Sequence, residues 1–255
     1  MEKLIKFLNK FLIQKSTLTA NFYNDLVNGK KTRLIVGLEN RYNIKKPRQI
    51  EMVEKYFDSV LDKFLNSQSN LLDYGCGNGF FTKRVAHLCK SVTGVDISEQ
   101  FIFQAKIDSP INSSFEVIRS QSKQIKSRDN FNVCLMVDVI HHLESPETDL
   151  KFLSKFFRKD NQVIIFEPNI KNPAIFFMHL MDKNERGLLR FLRKKNYLDT
   201  LSEYIEVESI HYNGILIGPA NKLTNAIVAI INYRLFKPFA NWLNPKILIT
   251  GRFKL

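Results

Sequence analysis

The stretch "LLDYGCGNGFF" (residues 71–81) sets Gly75, Gly77 and Gly79 at every second position, directly after an apolar run that ends in Asp73. A strand gains nothing from such residues, because each glycine gives up more backbone entropy on folding than any other residue. The run therefore reads as a short buried strand that stops at a bare turn. The segment that follows, "GFFTKRVAHLC", reads as a helix beginning at the third glycine. Strand, naked turn and helix N-terminus together form a cradle for a polar or anionic group.

The same rhythm continues downstream. "SVTGVDIS" is a second strand ending in Asp96, and "SEQFIFQAKI" a helix capped by Ser98. "SFEVIRS" and "FNVCLMVDVI" give a third and a fourth strand. "SPETDLKFLSKFFRK" is a helix with Ser145 as its cap and Pro146 in its first turn, and "NQVIIFEPN" a fifth strand. Upstream, apolar residues at helical spacing predict a helix over 47–65. Alternation of this kind implies a parallel sheet covered on both faces, with ligands bound beyond the C-terminal strand ends. After Pro168 the rhythm breaks. Residues 173–198 read as helical, 203–214 as a strand, 221–244 as apolar helix interrupted by Pro238, and "KILITGRFKL" as a closing strand. A helical insert between two late strands suggests a lid on a sheet edge.

The dinucleotide fingerprint G-x-G-x-x-G would put a third glycine at position 80, which is Phe80. The observed frame, Asp73-Tyr-Gly75-Cys76-Gly77-Asn-Gly79, instead resembles motif I of the class I S-adenosylmethionine-dependent methyltransferases, of the type 11/12 group. Asp96 matches that family's ribose-binding acid, and "FNVCLMVDVIHHL" with "VIIFEPN" its fourth and fifth strands. The likeness covers about residues 47–168, and the closing strand more loosely. It implies an α/β Rossmann-like doubly wound sheet, mostly parallel with an antiparallel last strand. It implies a domain over 47–255, with substrate-side helical segments at about 170–200 and 216–245, preceded by a basic helical extension over 1–46. It also implies S-adenosyl-L-methionine as cofactor, held by Asp73, Gly75, Cys76, Gly77, Gly79, Asp96, Ile97 and Val137. Many relatives carry an acid near the adenine amino group where "RSQSKQI" offers Gln121 or Ser122, and Gln121 is assigned that contact.

The chemistry of that cofactor fits these residue types. A helix N-terminus attracts its carboxylate, Asp73 suits its ammonium and sulfonium, and a strand-end acid such as Asp96 suits two ribose hydroxyls. Methyl transfer is an in-line displacement accelerated by alignment, and a base is needed only where the acceptor must lose a proton. "VDVIHHLE" lies where such a base would stand, with His142 favoured over His141. The quinone O-methyltransferases resemble this segment but carry two acids and one histidine there. Asp138 and His142 match and His141 departs, so an Asp/His/His metal set is weighed and no metal is assigned. Glu167 either borders the acceptor pocket or caps the next helix. Arg186 and Arg190 either pair with an acidic substrate group or form a solvated face.

Charge is uneven. Residues 1–50 carry eleven Lys and Arg against three acids, 51–167 fourteen against sixteen, and 168–255 thirteen against six. Basic flanks attract anionic partners. The N-terminal "MEKLIKFLNKFLIQK" reads as a basic amphipathic helix, since lysines interrupt its apolar run. No stretch reaches the roughly 18 apolar residues of a spanning helix. Three cysteines without a CxxC pair fit a reducing, cytoplasmic setting, with peripheral contact to an anionic membrane as an open alternative. The expected function is methyl transfer, most readily to oxygen, on a small-molecule or lipid-linked acceptor. The alternatives are an RNA or protein methyltransferase, and a cofactor-binding protein without transfer activity. Nucleic acid is the weaker partner: the N/D-P-P-Y/F tetrad of amino-group enzymes is absent, the fourth strand ending in "VDVIHH".

Overall fold

A computed structural model of the chain describes residues 16–28, 58–118, 125, 130–181, 185–192, 197–213, 230 and 238–254. The first fifteen residues, most of the expected helix over 47–65, Gln121, Ser122 and most of the expected lid over 221–244 lie outside them.

The sheet has seven strands in the order β3-β2-β1-β4-β5-β7-β6. They are β1 Asn70–Tyr74, β2 Ser91–Asp96, β3 Ser113–Val117, β4 Phe131–Val137, β5 Phe157–Pro168, β6 Ile205–Asn213 and β7 Lys246–Phe253. Strands β1 to β5 pair in parallel, and β7 pairs antiparallel with both β5 and β6. The α/β doubly wound sheet with an antiparallel last strand is thus the observed fold. The helices are α1 Ser16–Val27, α2 Phe80–Val85, α3 Glu99–Lys106, α4 Pro146–Ser154, α5 Pro173–Met181, α6 Tyr197–Ser202 and α7 Ala240–Leu243.

The apolar runs make strands because both faces of the sheet are covered, so every side chain finds a core. Leu72, Cys134, Met136, Val163 and Ile165 enter one cluster, closed by Leu150 and Leu153 of α4. Their neighbours Leu71, Val133, Leu135, Ile164 and Phe166 enter the other, closed by Phe81 and Val85 of α2. Tyr74 ties β1 to α4 by donating its hydroxyl to Asp149 at 2.5 Å.

The start signals work as expected. Ser98 Oγ accepts from Phe101 N at 3.1 Å, and Ser145 caps α4 with Pro146 in its first turn. The fourth strand is shorter than expected. Asp138 adopts a left-handed φ of 54°, which turns the chain out of the sheet after Val137. Within the expected helical stretch, the described residues form α5, a 3-10 segment over Arg186–Leu192 and α6. Gly187 explains the 3-10 segment's position, since a Cβ there would stand 1.9 Å from the carbonyl oxygen of His141.

Candidate functional site

The glycine turn sits at the C-terminal end of β1, the switch point from which β2 and β4 diverge. Gly75, Gly77 and Gly79 all take positive φ, at 79°, 55° and 78°. Space is short as well: a Cβ on Gly75 would lie 2.2 Å from Val139 Cγ2. The turn is pinned to β2, with the amides of Gly75 and Cys76 both donating to Val95 O, at 2.8 and 3.0 Å.

Asp96 closes this turn from the end of β2. Its Oδ2 accepts from Gly77 N at 2.9 Å and its Oδ1 from Ser98 N at 2.8 Å. Each carboxylate oxygen can accept more than one hydrogen bond, so the geometry leaves acceptor capacity for a pair of vicinal hydroxyls. Burial raises the Asp96 pKa to about 6, against the hydrogen bonds from Ser98 and Gly77 that lower it. Ile97 follows, partly buried against the main core, and Val137 is buried at the end of β4.

Asp73 is 1% exposed, beneath the turn rather than on its surface. Its Oδ2 accepts from Thr82 Oγ1 of α2 at 2.6 Å. Burial pushes its pKa up to about 7, opposed by the Thr82 bond and aided by the charge of Asp96. Its visible role is to hold α2 against β1. Cys76 is buried, its Sγ donating to Gly77 O at 3.5 Å, and burial pushes its thiol pKa up. Gln121 lies outside the described residues.

The second half of the site is a cluster of histidines and glutamates after β4. The chain forms a 3-10 turn over Ile140–His142. Glu167, at the end of β5, is fully buried and accepts from the amides of Val139 and Ile140 at 2.8 and 2.7 Å. Both of its oxygens are engaged in organising the histidine turn. Its Oε2 also meets His141 Nδ1 at 2.5 Å, while His141 Nε2 lies 3.1 Å from Glu185 Oε2. Burial opposes charge on His141, but Glu167 and Glu185 raise its pKa to about 9. Both ring nitrogens of His141 thus face carboxylates, whereas His142 keeps 10% of its side chain exposed against 1% for His141.

His142 presents Nε2 to Tyr23 Oη at 3.1 Å and to Glu185 Oε2 at 3.5 Å. His179, from α5, approaches the same Glu185 oxygen with its Nε2 at 3.7 Å. Its Nδ1 is fixed on Ile175 O at 2.8 Å, and burial followed by the neighbouring His141 lowers its pKa. The Asp138 of the weighed Asp/His/His set is elsewhere, paired with Lys246 of β7. Arg190 reaches Ile140 O at 3.1 Å and Leu143 O at 2.5 Å, and Arg186 donates to Leu180 O at 3.0 Å. Both arginines thus tie backbone segments together.

Helix α1 joins the two halves. Asn24 Oδ1 accepts from Ser98 Oγ at 2.6 Å, next to Asp96. Tyr23 packs its ring 5.4 Å from that of Phe101 and 5.8 Å from that of His142. Sequence reasoning missed Tyr23, Asn24, His179 and Lys246, and gave Glu185 no role. Tyr23 and Asn24 lie in a segment without a motif. The "RG" after Glu185 was the one local signal, a glycine where a helix would otherwise choose a side chain.

A family model described as "Methyltransferase domain" matches residues 72–165. The stretch from β1 to β5 is thus similar to a methyltransferase domain, and the sheet has the class I methyltransferase fold. A ubiquinone biosynthesis O-methyltransferase of Idiomarina loihiensis is 21% identical over 184 residues, spanning 68% of this chain and 73% of that one. Against other proteins of that description the match spans 65%, 38% and 58% of their length. Among solved structures, the N-methyltransferase NodS from Bradyrhizobium japonicum WM9 in complex with S-adenosyl-L-homocysteine superposes with a TM-score of 0.56 at 12% identity, covering 91% of this chain and 99% of that one. The [4+2]-cyclase SpnF superposes with a TM-score of 0.59 at 14% identity, covering 94% and 97%. These likenesses are likenesses of fold.

Proposed function

We propose that this protein moves a methyl group from S-adenosylmethionine to an oxygen of a small-molecule or lipid-linked acceptor. The observation that carries this reading is the pairing across Val139. That side chain packs against Gly75 of the bare turn, and the His142 turn follows it directly. A donor on the turn and an acceptor hydroxyl at the histidines would then be neighbours.

The residues present fit the donor. Three positive-φ glycines expose peptide groups, and Asp96 offers acceptor capacity beside Gly77. When bound, the donor supplies an electrophilic methyl on a sulfonium. In this reading the turn and Asp96 hold and orient, with Ile97, Val137 and Gln121 at the nucleoside. The acceptor's proton is lost at the cluster around Glu185. His142, with 10% of its side chain exposed against 1% for His141, is its reachable member. Residues 47–255 make the catalytic domain, and α1, from the 1–46 segment, roofs it. A lipid-like acceptor is supported by exposed apolar side chains on α5 and α7: Phe177, Met181 and Trp242. The two helices are tied where Asn172 Nδ2 donates to Leu243 O at 2.6 Å. With a net charge of +13, peripheral contact with an anionic membrane belongs to the same reading.

The test uses purified full-length chain and a donor with a tritiated methyl, offered to cell extract split into lipid, polar small-molecule and macromolecular fractions. Label in the lipid or polar fraction, with release of S-adenosylhomocysteine, is expected. Label confined to macromolecules would reject the acceptor class. Binding of S-adenosylhomocysteine without turnover on any fraction would favour a cofactor-binding protein. Asp96→Ala should weaken S-adenosylhomocysteine binding by calorimetry at least about tenfold, because hydrogen bonds to a charged group are each worth about 1.5–3 kcal/mol.

A further inference from the structure

Three imidazoles converge on one carboxylate oxygen beyond the end of β4. Glu185 Oε2 has His141 Nε2 at 3.1 Å, His142 Nε2 at 3.5 Å and His179 Nε2 at 3.7 Å. The ligand atoms of His141, His142 and Glu185 all lie within 4.8 Å of one another. A tetrahedral ion with bonds of about 2.0–2.1 Å holds its ligand atoms about 3.4 Å apart. We propose that His141, His142, Glu185 and His179 form a binding site for a divalent transition-metal ion of the zinc class.

Two further observations support this assignment. The first is the outer layer. Metal-bound histidines give their second ring N–H to a carboxylate or a backbone carbonyl, which fixes the tautomer and aims the other nitrogen. His141 Nδ1 is on Glu167 Oε2 at 2.5 Å, and His179 Nδ1 is on Ile175 O at 2.8 Å. Both Nε2 atoms are thereby turned inward. The second is rigidity. The four residues come from the Ile140–His142 turn, from α5 and from the start of the 186–192 segment. Gly187 lets that segment press on the His141 backbone, and Arg190 ties it to Ile140 O. Nitrogen-rich donors suit zinc, copper, nickel or iron over magnesium or calcium.

A divalent cation would take the place of the Glu185–His141 hydrogen bond at Nε2. It also displaces the Tyr23 hydroxyl from the His142 Nε2 lone pair. With four protein ligands the site is closed, so the ion would brace the histidine turn against the 186–192 segment. The ligand set differs from the Asp138-based set weighed from sequence, because Glu185 and His179 replace Asp138.

The probe is Co²⁺, then Zn²⁺, added to untagged full-length protein stripped with a chelator. One equivalent of Co²⁺ should give the intense visible absorption of four-coordinate cobalt, and one equivalent of Zn²⁺ should bleach it. Glu185→Gln and His179→Gln should each weaken Zn²⁺ binding at least about tenfold, whereas His211→Gln, on β6, should not. A weak octahedral cobalt spectrum, or affinity unchanged in both cluster variants, would overturn the site. Circular dichroism separates a variant that binds poorly from one that has unfolded. Calorimetry with S-adenosylhomocysteine on the stripped protein is independent of the metal, so loss of the metal site and loss of the methyl-transfer reading give different results.

Discussion

Asp73 carries the clearest prediction at the residue scale. It is a carboxyl buried under the turn with a pKa of about 7, while the unfolded chain has it near 3.8. The folded state therefore holds this proton more tightly than the unfolded state does. Its contribution is fully present below the unfolded value and is lost as pH rises toward 7, since stability falls with pH wherever the native state binds more protons. Asp73→Asn keeps an oxygen for Thr82 and removes the titration. Thermal melts from pH 4 to 7.5 should show the wild type losing stability relative to Asp73→Asn as pH rises, with the gap widening most between pH 5 and 7. Parallel curves would reject the assignment. The same residue marks how far sequence reaches. The frame of three glycines and the acid after β2 were legible because a turn without side chains leaves a local trace. That Asp73 faces Thr82, and that His141 is clamped between Glu167 and Glu185, were not, because those partners are 9, 26 and 44 residues distant.

At the scale of elements, the 3-10 segment over Arg186–Leu192 decides whether the histidine cluster closes. Gly187 permits its approach. A Cβ would meet a backbone oxygen, which cannot turn aside as a flexible side chain can. Gly187→Ala should force the segment away from His141 and carry Glu185 with it. Overpacking of this kind costs about 1–3 kcal/mol. The expected result is a lower melting temperature and a loss of turnover, with S-adenosylhomocysteine binding retained, because the glycine turn and Asp96 are untouched. Unchanged turnover would show that the segment does not position the cluster. The βα units were readable because their periodicity switches at each boundary and Ser98 and Ser145 announce helix starts. The 173–198 stretch was legible as helical, but the 3-10 geometry over Arg186–Leu192 was not, because contact with the His141 backbone selects it. The roofing of the site by α1 was likewise hidden, since nothing in "STLTANFYNDLV" marks Tyr23 and Asn24 as partners of His142 and Ser98.

At the scale of the whole molecule, charge and apolar exposure act together. The chain carries +13, concentrated before residue 50 and after residue 168. Trp242, its single tryptophan, is 60% exposed on α7, and Phe239 beside it is 59% exposed. None of the helices among the described residues is long and apolar enough to cross a membrane, so contact with lipid would be made at the surface. Aromatic side chains favour the bilayer interface and basic residues favour anionic headgroups. Trp242 then reports its own docking. Titration with vesicles of phosphatidylglycerol should shift its emission to the blue and saturate. Vesicles of phosphatidylcholine should do so weakly. Raising the salt from 0.05 to about 0.5 M shortens the screening length well below 10 Å and should reverse most of the shift. Trp242→Phe should lose the signal yet still co-sediment, because charge supplies most of the attraction. An emission spectrum indifferent to anionic vesicles, together with protein left in the supernatant, would remove the membrane from the account and leave a water-soluble acceptor.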